Sequence, residues 1–259
     1  MDNNIKQIIE TYFAFNPMDL ETGEGKPKQM LHKDIIAAHI NLFPKNVDDL
    51  IVSIHRSAVD QHDKTWTDNK HCLDLNHIDV SSIRDFSDLF MNFNKTPYGK
   101  IYDNIDITLW NVSNGTNFSN MFKNFKTFDC DLSQWDVSRG ETFSGMFWGC
   151  SKFNSDLSQW NIERTSNCDS MFRGCKLFNS DLSEWKPVNC IDYENMFKGC
   201  KSLNFDISNW EHYHNFYHDD KLIIIDMFAN CDSMEVIPKW YTDAEQIFDF
   251  LKGKNVSFL

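Results

Sequence analysis

Apolar and polar positions along the middle of the chain repeat every 25 residues. Trp110, Trp135, Trp160, Trp185 and Trp210 keep that spacing. So do Met121-Phe122, Met146-Phe147, Met171-Phe172 and Met196-Phe197. Ile107, Leu132, Leu157, Leu182 and Ile207 form another column, and Phe128, Phe153, Phe178 and Leu203 a further one. Cys150, Cys175 and Cys200 align, with Phe125 in the equivalent place one unit earlier. A polar column, Asp106, Asp131, Asp156, Asp181 and Asp206, runs in the same register. Within a unit, Trp135 and Val137 are two apart and so share one face of an extended segment. Residues 144–152 are too short for a long helix and predict one helical turn, with Gly149 ending it before Cys150. No unit can bury its own apolar side chains. Stacking the units roughly 4.8 Å apart turns the columns into continuous internal ladders, so each unit reads as one coil of a solenoid.

The ends depart from the pattern, as terminal repeats do. Leu75 to Val80 aligns with Ile107 to Val112, with Leu89-Phe90 in the Met-Phe place and Phe93 in the Cys place. An insertion, Asn94 to Lys100, follows. A second insertion, about His212 to Ile224, precedes Met227-Phe228 and Cys231. Residues 1–70 do not repeat. Ile5, Ile8, Ile9, Tyr12 and Phe13 follow helical spacing, as do Leu31, Ile35, Ile36, Ile40 and Phe43, then Val47, Leu50, Ile51 and Ile54. A loop at Gly23 to Pro27 separates the first two helices. Thr242 and Glu245 read as a capping box before Ile247, Phe248 and Leu251, with Gly253 as the stop. The predicted organisation is a helical N-terminal cap over 1–70, about six repeats over 71–240, and a C-terminal capping helix with tail over 241–259. Covered ends keep the sheet edges from polymerising.

The segment Leu132–Trp135–Val137 resembles the strand signature of leucine-rich repeats. The run DLSQWDVSRGETFSGMFWGCSKFNSDLSQW closely resembles the BspA-like leucine-rich repeat in its Met-Phe variant. That variant was formerly filed as a domain of unknown function, and it recurs in mycoplasmas, other bacteria and large DNA viruses. Its consensus resembles F-N-x-D-L-S-x-W-D-V-S-N-V-T-x-M-x-x-M-F-x-G-C. The resemblance covers about residues 71–240. It implies an α/β solenoid: a right-handed, leucine-rich-repeat-like coil stack with one short parallel strand per 25-residue repeat. Cys168 departs from it at the column of Phe118 and Phe143. Pro187 departs at the column of Val112, Val137 and Ile162. Because proline lacks a backbone donor, a local break in the strand ladder is expected there.

Composition narrows the class. The chain has 259 residues, 41% apolar and 14% aromatic, too apolar for a disordered protein. A net charge of −13 argues against wrapping nucleic acid or an anionic membrane. The N-terminus carries no secretion signal, and the longest apolar run, Leu222 to Ile225, is far too short to span a bilayer. Eight Cys without a signal favour reduced thiols and a cytoplasmic setting, either host cytoplasm or virion if the protein is viral.

Packing competes with chemistry as the explanation of most polar and sulfur-bearing columns. Phe125 fills the Cys column, which a metal site would not accept, so that column reads as packing under a tight turn. Cys168 and Cys190 are irregular and read as exposable. The five aligned Asp repel one another by about 1 kcal/mol per hydrated neighbour pair. Asx turns can offset this, with Lys126, Lys152, Lys176 and Lys201 as counter-charges. A calcium ladder is the weaker alternative, because the Gly-Asp nonapeptide of calcium-binding rolls is absent. His212, His214 and His218 beside Asp219 and Asp220 could hold a transition metal, but a partner-contacting loop with Phe216 and Tyr217 is the better reading. No metal or cofactor is expected. No P-loop, dinucleotide, nucleophile-elbow or zinc-protease motif occurs, so no enzyme is expected. The Trp column reads as core, and Trp148, off the column, as the exposed aromatic.

If the Trp column points inward, Gln134, Asp136, Gln159, Asn161, Glu184, Lys186, Asn209 and Glu211 point outward. They form a polar face on which such stacks contact partners. Lys123, Arg173 and Lys198 form a separate basic stripe. The expected function is a non-enzymatic protein–protein interaction module, engaging a host protein or belonging to a virion. The alternative is a glycan-binding protein.

Overall fold

The computed structural model describes residues 53, 54, 57, 72–96, 99, 102–213 and 223–242. Units 25 residues apart lie side by side. Successive units are joined by parallel single-residue bridges, Asp85 to Asn117, Asn117 to Thr142, Thr142 to Asn167, Asn167 to Asp192 and Asp192 to Ile223. Two strands, β1 (Cys72–Asp74) and β2 (Asn104–Asp106), also pair in parallel, with Leu73 opposite Ile105.

Between these bridges the backbone is a chain of tight turns. Met146, Trp148 and Cys150 each donate their N–H to the carbonyl three residues back, at 3.0, 3.0 and 2.9 Å. The alternate N–H groups, of Phe143, Gly145, Phe147 and Gly149, reach across to Asn167, Asp169, Met171 and Arg173 of the next unit. These seven donors are thereby satisfied, three locally and four between units. The path needs left-handed residues at two positions per unit. One column holds Asn120, Gly145, Ser170, Asn195 and Asp226; the other holds Asn124, Gly149, Gly174, Gly199 and Asn230. Gly, Asn and Asp tolerate this conformation best. The helical turn expected over 144–152 is therefore a turn ladder, and Gly149 is a repeated left-handed joint within it.

The L-x-x-W segment also differs from expectation. Trp135 donates to the Leu132 carbonyl at 3.1 Å, so Leu132 to Trp135 is a β-turn rather than a strand. Trp160, Trp185 and Trp210 repeat the turn. The inside–outside alternation of Trp135, Asp136 and Val137 holds nonetheless. No break occurs at Pro187. Cys190 donates to the Pro187 carbonyl at 3.2 Å, as Gly140 does to Val137, and among the described residues Val137 and Ile162 use no backbone donor in the ladder. Proline removes nothing there.

The core is a set of axial ladders. The rings of Phe122, Phe147, Phe172 and Phe197 stack with centroids 5.6 Å apart at each step and interplanar angles of 11° or less. Phe90 and Phe228 extend this ladder at 5.8 and 5.7 Å. Offset stacks of this kind add about 0.5–1.5 kcal/mol per pair beyond area burial. Phe93 stacks on Phe125 at 4.4 Å, in line with the Cys column. The Cys thiols lie in the core, with Cys150, Cys175 and Cys200 each donating to a carbonyl 28 residues earlier at 3.0 Å. Cys168 and Cys190, expected to be exposable, are buried as well.

At the ends, residues 53, 54 and 57 are helical, Ile54 is buried, and Ser57 Oγ lies 2.7 Å from His77 Nε2. The expected first two helices lie outside the described residues. The C-terminal helix begins at residue 239, earlier than expected, with Tyr241 and Thr242 donating to the Pro238 carbonyl. Thr242 is thus inside the first turn, its hydroxyl donating to Lys239 at 2.9 Å, and is not the N-cap. Residues 243–253 lie outside the described residues.

Candidate partner-binding face

One side of the stack is built from three adjoining columns on consecutive turns. The first is an amide ladder. Asn154 Oδ1 accepts the Asn179 N–H at 2.8 Å, and Asn179 Oδ1 accepts the Asn204 N–H at 2.6 Å. Asp129 stands in this column among asparagines, its pKa raised by desolvation.

The second is the Asp column. Each carboxylate closes an Asx turn: Ser133, Ser158, Ser183 and Ser208 donate their N–H to Asp131, Asp156, Asp181 and Asp206 at 2.8–2.9 Å. Ser155 and Ser180 link neighbouring coils. Each accepts a backbone N–H at 2.8 Å, from Leu132 and Leu157, and points its hydroxyl at Asp131 and Asp156. Backbone bonds from Ser133 and Ser158 hold Asp131 and Asp156 below the usual carboxylate range. The hydroxyl and N–H of Ser208 do the same for Asp206. These bonds offset the mutual repulsion of the ladder. The expected lysine counter-charges do not. Among the described residues no ion pair joins Lys126, Lys152 or Lys176 to it, and Lys201 pairs with Asp232. No group of three potential metal ligands occurs among the described residues.

The third column is the predicted face. Gln134, Asp136, Gln159, Asn161, Glu184, Lys186 and Asn209 are all exposed. Asp136 and Asn161 also act within their own coils. They close Asx turns by accepting the N–H of Ser138 at 3.0 Å and of Glu163 at 2.9 Å. Gln134 and Gln159 make one long bond each, Nε2 donating to Ser133 Oγ and Ser158 Oγ at 3.3 Å, and the side chains of Glu184 and Lys186 make no hydrogen bond or ion pair among the described residues. Asn209 reaches back to the Ser183 carbonyl at 2.5 Å. Glu211 and His212 fall in the 3-10 helix Ser208–Tyr213. His214, Phe216, Tyr217 and His218 lie outside the described residues.

The three columns enclose a hollow of about 420 Å³ lined by Asp129, Asp131, Asp156, Gln134, Gln159 and Asn154 among others. Sequence reasoning missed it, since no motif marks a space between two coils. It also missed Leu109, which is 77% exposed in the Gln134 column. Spacing alone could have found that residue. The Trp column offers no ring face, since Trp110, Trp135, Trp160, Trp185 and Trp210 are buried. Trp148 is only partly exposed, with Lys123 Nζ 4.0 Å and Arg173 Cζ 4.7 Å from its ring centre.

The profile of the family described as "Mycoplasma protein of unknown function, DUF285" matches residues 56–176, 87–210 and 141–240. The overlapping matches cover well over half of the chain and are those of a repeat protein. No curated protein and no solved structure matches it.

Proposed function

We propose, on the premise that the chain belongs to the DUF285 family, that it is a non-enzymatic protein-interaction module. In this reading its stacked units are a short solenoid of the BspA-like leucine-rich type. The carrying observation is the row Gln134, Gln159 and Glu184: three exposed side chains at one position of successive coils. Stacks of rigid repeats use such rows to contact extended or folded protein surfaces. The hollow beside them gives the row relief, and the exposed Leu109 supplies an apolar anchor at its N-terminal end. All eight cysteines are free thiols, which supports a reducing compartment, host cytoplasm or virion interior.

The glycan reading is weaker on the same grounds. It needs open aromatic faces, and the one partly exposed Trp of the repeats is occupied by cations. The test is affinity capture from the native source with the intact chain and with Gln134→Arg/Gln159→Arg/Glu184→Arg. These positions leave the Asx turns untouched. A protein recovered with the intact chain and lost with the variant supports the reading. The same proteins recovered in equal amounts with both removes this face from it.

A further inference from the structure

Seven cations of the repeats lie on a different edge, just past the Met-Phe column. Lys123, Trp148, Arg173 and Lys198 occupy one position of successive coils. Lys126, Lys176 and Lys201 occupy a second, with Lys152 beside it. In a chain of net charge −13, this row is the local exception.

The last coil shows what these columns accept. Lys198 Nζ lies 2.6 Å from an Asp226 carboxylate oxygen, and Lys201 Nζ 3.4 Å from one of Asp232. Both columns therefore end on carboxylates supplied by the chain itself. Further up the stack, the side chains of Lys123, Lys126, Lys152, Arg173 and Lys176 make no ion pair or hydrogen bond among the described residues. Lys126, Lys152 and Lys176 are exposed. Lys123 and Arg173 rest on the Trp148 ring. That contact holds the Arg173 guanidinium beside the ring while its N–H groups make no hydrogen bond among the described residues, and a guanidinium can take a carboxylate in bidentate fashion.

The geometry points to this ridge as a docking strip for an acidic, carboxylate-rich segment of another protein, laid along the coils and continuing the pairing that Asp226 and Asp232 make at the last one. A long nucleic acid fits less well. The cations stand in a single row, and the net negative charge of the chain repels a dense polyanion. The strip is separate from the Gln134 row, so either surface can fail without the other.

The test is fluorescence anisotropy of a dye-labelled peptide of alternating Glu and Ser titrated with the full chain at low salt. Saturable binding that weakens with added salt is expected. Lys126→Glu/Lys176→Glu, at two exposed positions whose side chains make no hydrogen bond or ion pair among the described residues, weakens it at least tenfold, as does Lys123→Glu/Arg173→Glu. Gln134→Ala/Gln159→Ala, which alters the other row without changing charge, leaves it unchanged. Absence of binding, equal binding by the Lys126→Glu/Lys176→Glu variant, or tighter binding of a single-stranded oligonucleotide of equal charge would overturn the assignment.

Discussion

A Cβ placed on Gly140 would lie 2.3 Å from Cζ of Phe143, three residues on in the same coil. The previous coil repeats the relationship, with Gly115 and Phe118 at 2.4 Å. Where Cys168 replaces the ring, Thr165 takes the glycine position and is fully buried; where Tyr193 returns, Cys190 stands there. Tyr193 then tilts against Trp210 and points its hydroxyl at the Pro187 carbonyl at 3.4 Å. The two positions share one volume, and each coil divides it differently.

Gly140→Ala should therefore destabilise the protein by about 1–3 kcal/mol, since the ring is held between Phe118 and neighbouring core groups and cannot retreat. Phe143→Cys alone should open a cavity and cost about 3 kcal/mol. Gly140→Thr/Phe143→Cys copies the Thr165–Cys168 solution and should recover part of both losses. Urea unfolding of the single and double variants gives the coupling; additive losses would refute the shared volume.

Trp160 Nε1 donates to the Leu132 carbonyl of the preceding coil at 3.0 Å, and Trp110, Trp135, Trp185 and Trp210 do the equivalent. Trp160→Phe keeps an aromatic but removes one of the two hydrogen bonds to that carbonyl, which retains the Trp135 N–H. A loss of about 0.5–1.5 kcal/mol is expected, read from the same unfolding curves.

Acid should weaken the fold through the Asp ladder. Hydrogen bonds from serine hold Asp131, Asp156 and Asp206 below their ordinary value of 3.8. A depressed folded pKa gives stability that is present above the unfolded value and is lost as pH falls through the folded one. The decline should thus set in near pH 4 and continue below it. The effect per group is small, because these carboxylates are exposed. Asp131→Asn/Asp156→Asn/Asp206→Asn keeps the turn acceptors and should flatten the decline. Thermal midpoints from pH 7 to pH 3 report it.

Asp192 runs the other way. Partial burial raises its pKa, with Asp169 and Glu194 adding repulsion. A raised carboxylate costs stability as pH rises through its folded value, so Asp192→Asn should stabilise at pH 7 and make no difference at pH 3. Asn167 already fills that column one coil earlier and caps Asp169 as Asp192 caps Glu194, at 2.8 and 3.1 Å. A lower midpoint for the variant at pH 7 would contradict the assignment.

The thiols should be inert in the folded chain. Burial pushes the pKa of Cys150, Cys175 and Cys200 well up, and Cys130 to about 12. Cys72 is exposed, but at about 11 it reacts slowly. Iodoacetamide at pH 8 should label Cys72 first and Cys150, Cys175 and Cys200 only after urea is added, as read by peptide mass spectrometry. Fast labelling of Cys150 in the native chain would contradict its place in the core.

The family and the inventory of the interior were legible in the sequence. A period of 25 residues sets each side chain beside its counterpart one coil away, so the apolar columns lie inside together, as the Phe122–Phe147–Phe172–Phe197 ladder does. The Asx turns were legible for the same local reason: Asp followed two residues later by Ser has its acceptor and donor within one turn. The path of the backbone was not legible. Alternation of buried and exposed positions is satisfied equally by a strand and by a chain of β-turns. The choice rests on left-handed residues such as Asn120 and Ser170, whose conformation follows from hydrogen bonds to the next coil. Trp240 shows the limit clearly. Its Nε1 donates to the Ile207 carbonyl at 3.2 Å, continuing the Trp column from outside the 25-residue register. Burial of Cys168 and Cys190, the hollow beside Gln134, and the cations on Trp148 likewise depend on groups more than 20 residues away. Sequence spacing fixes which residues share a column; only the packing of one coil on the next decides what each column touches.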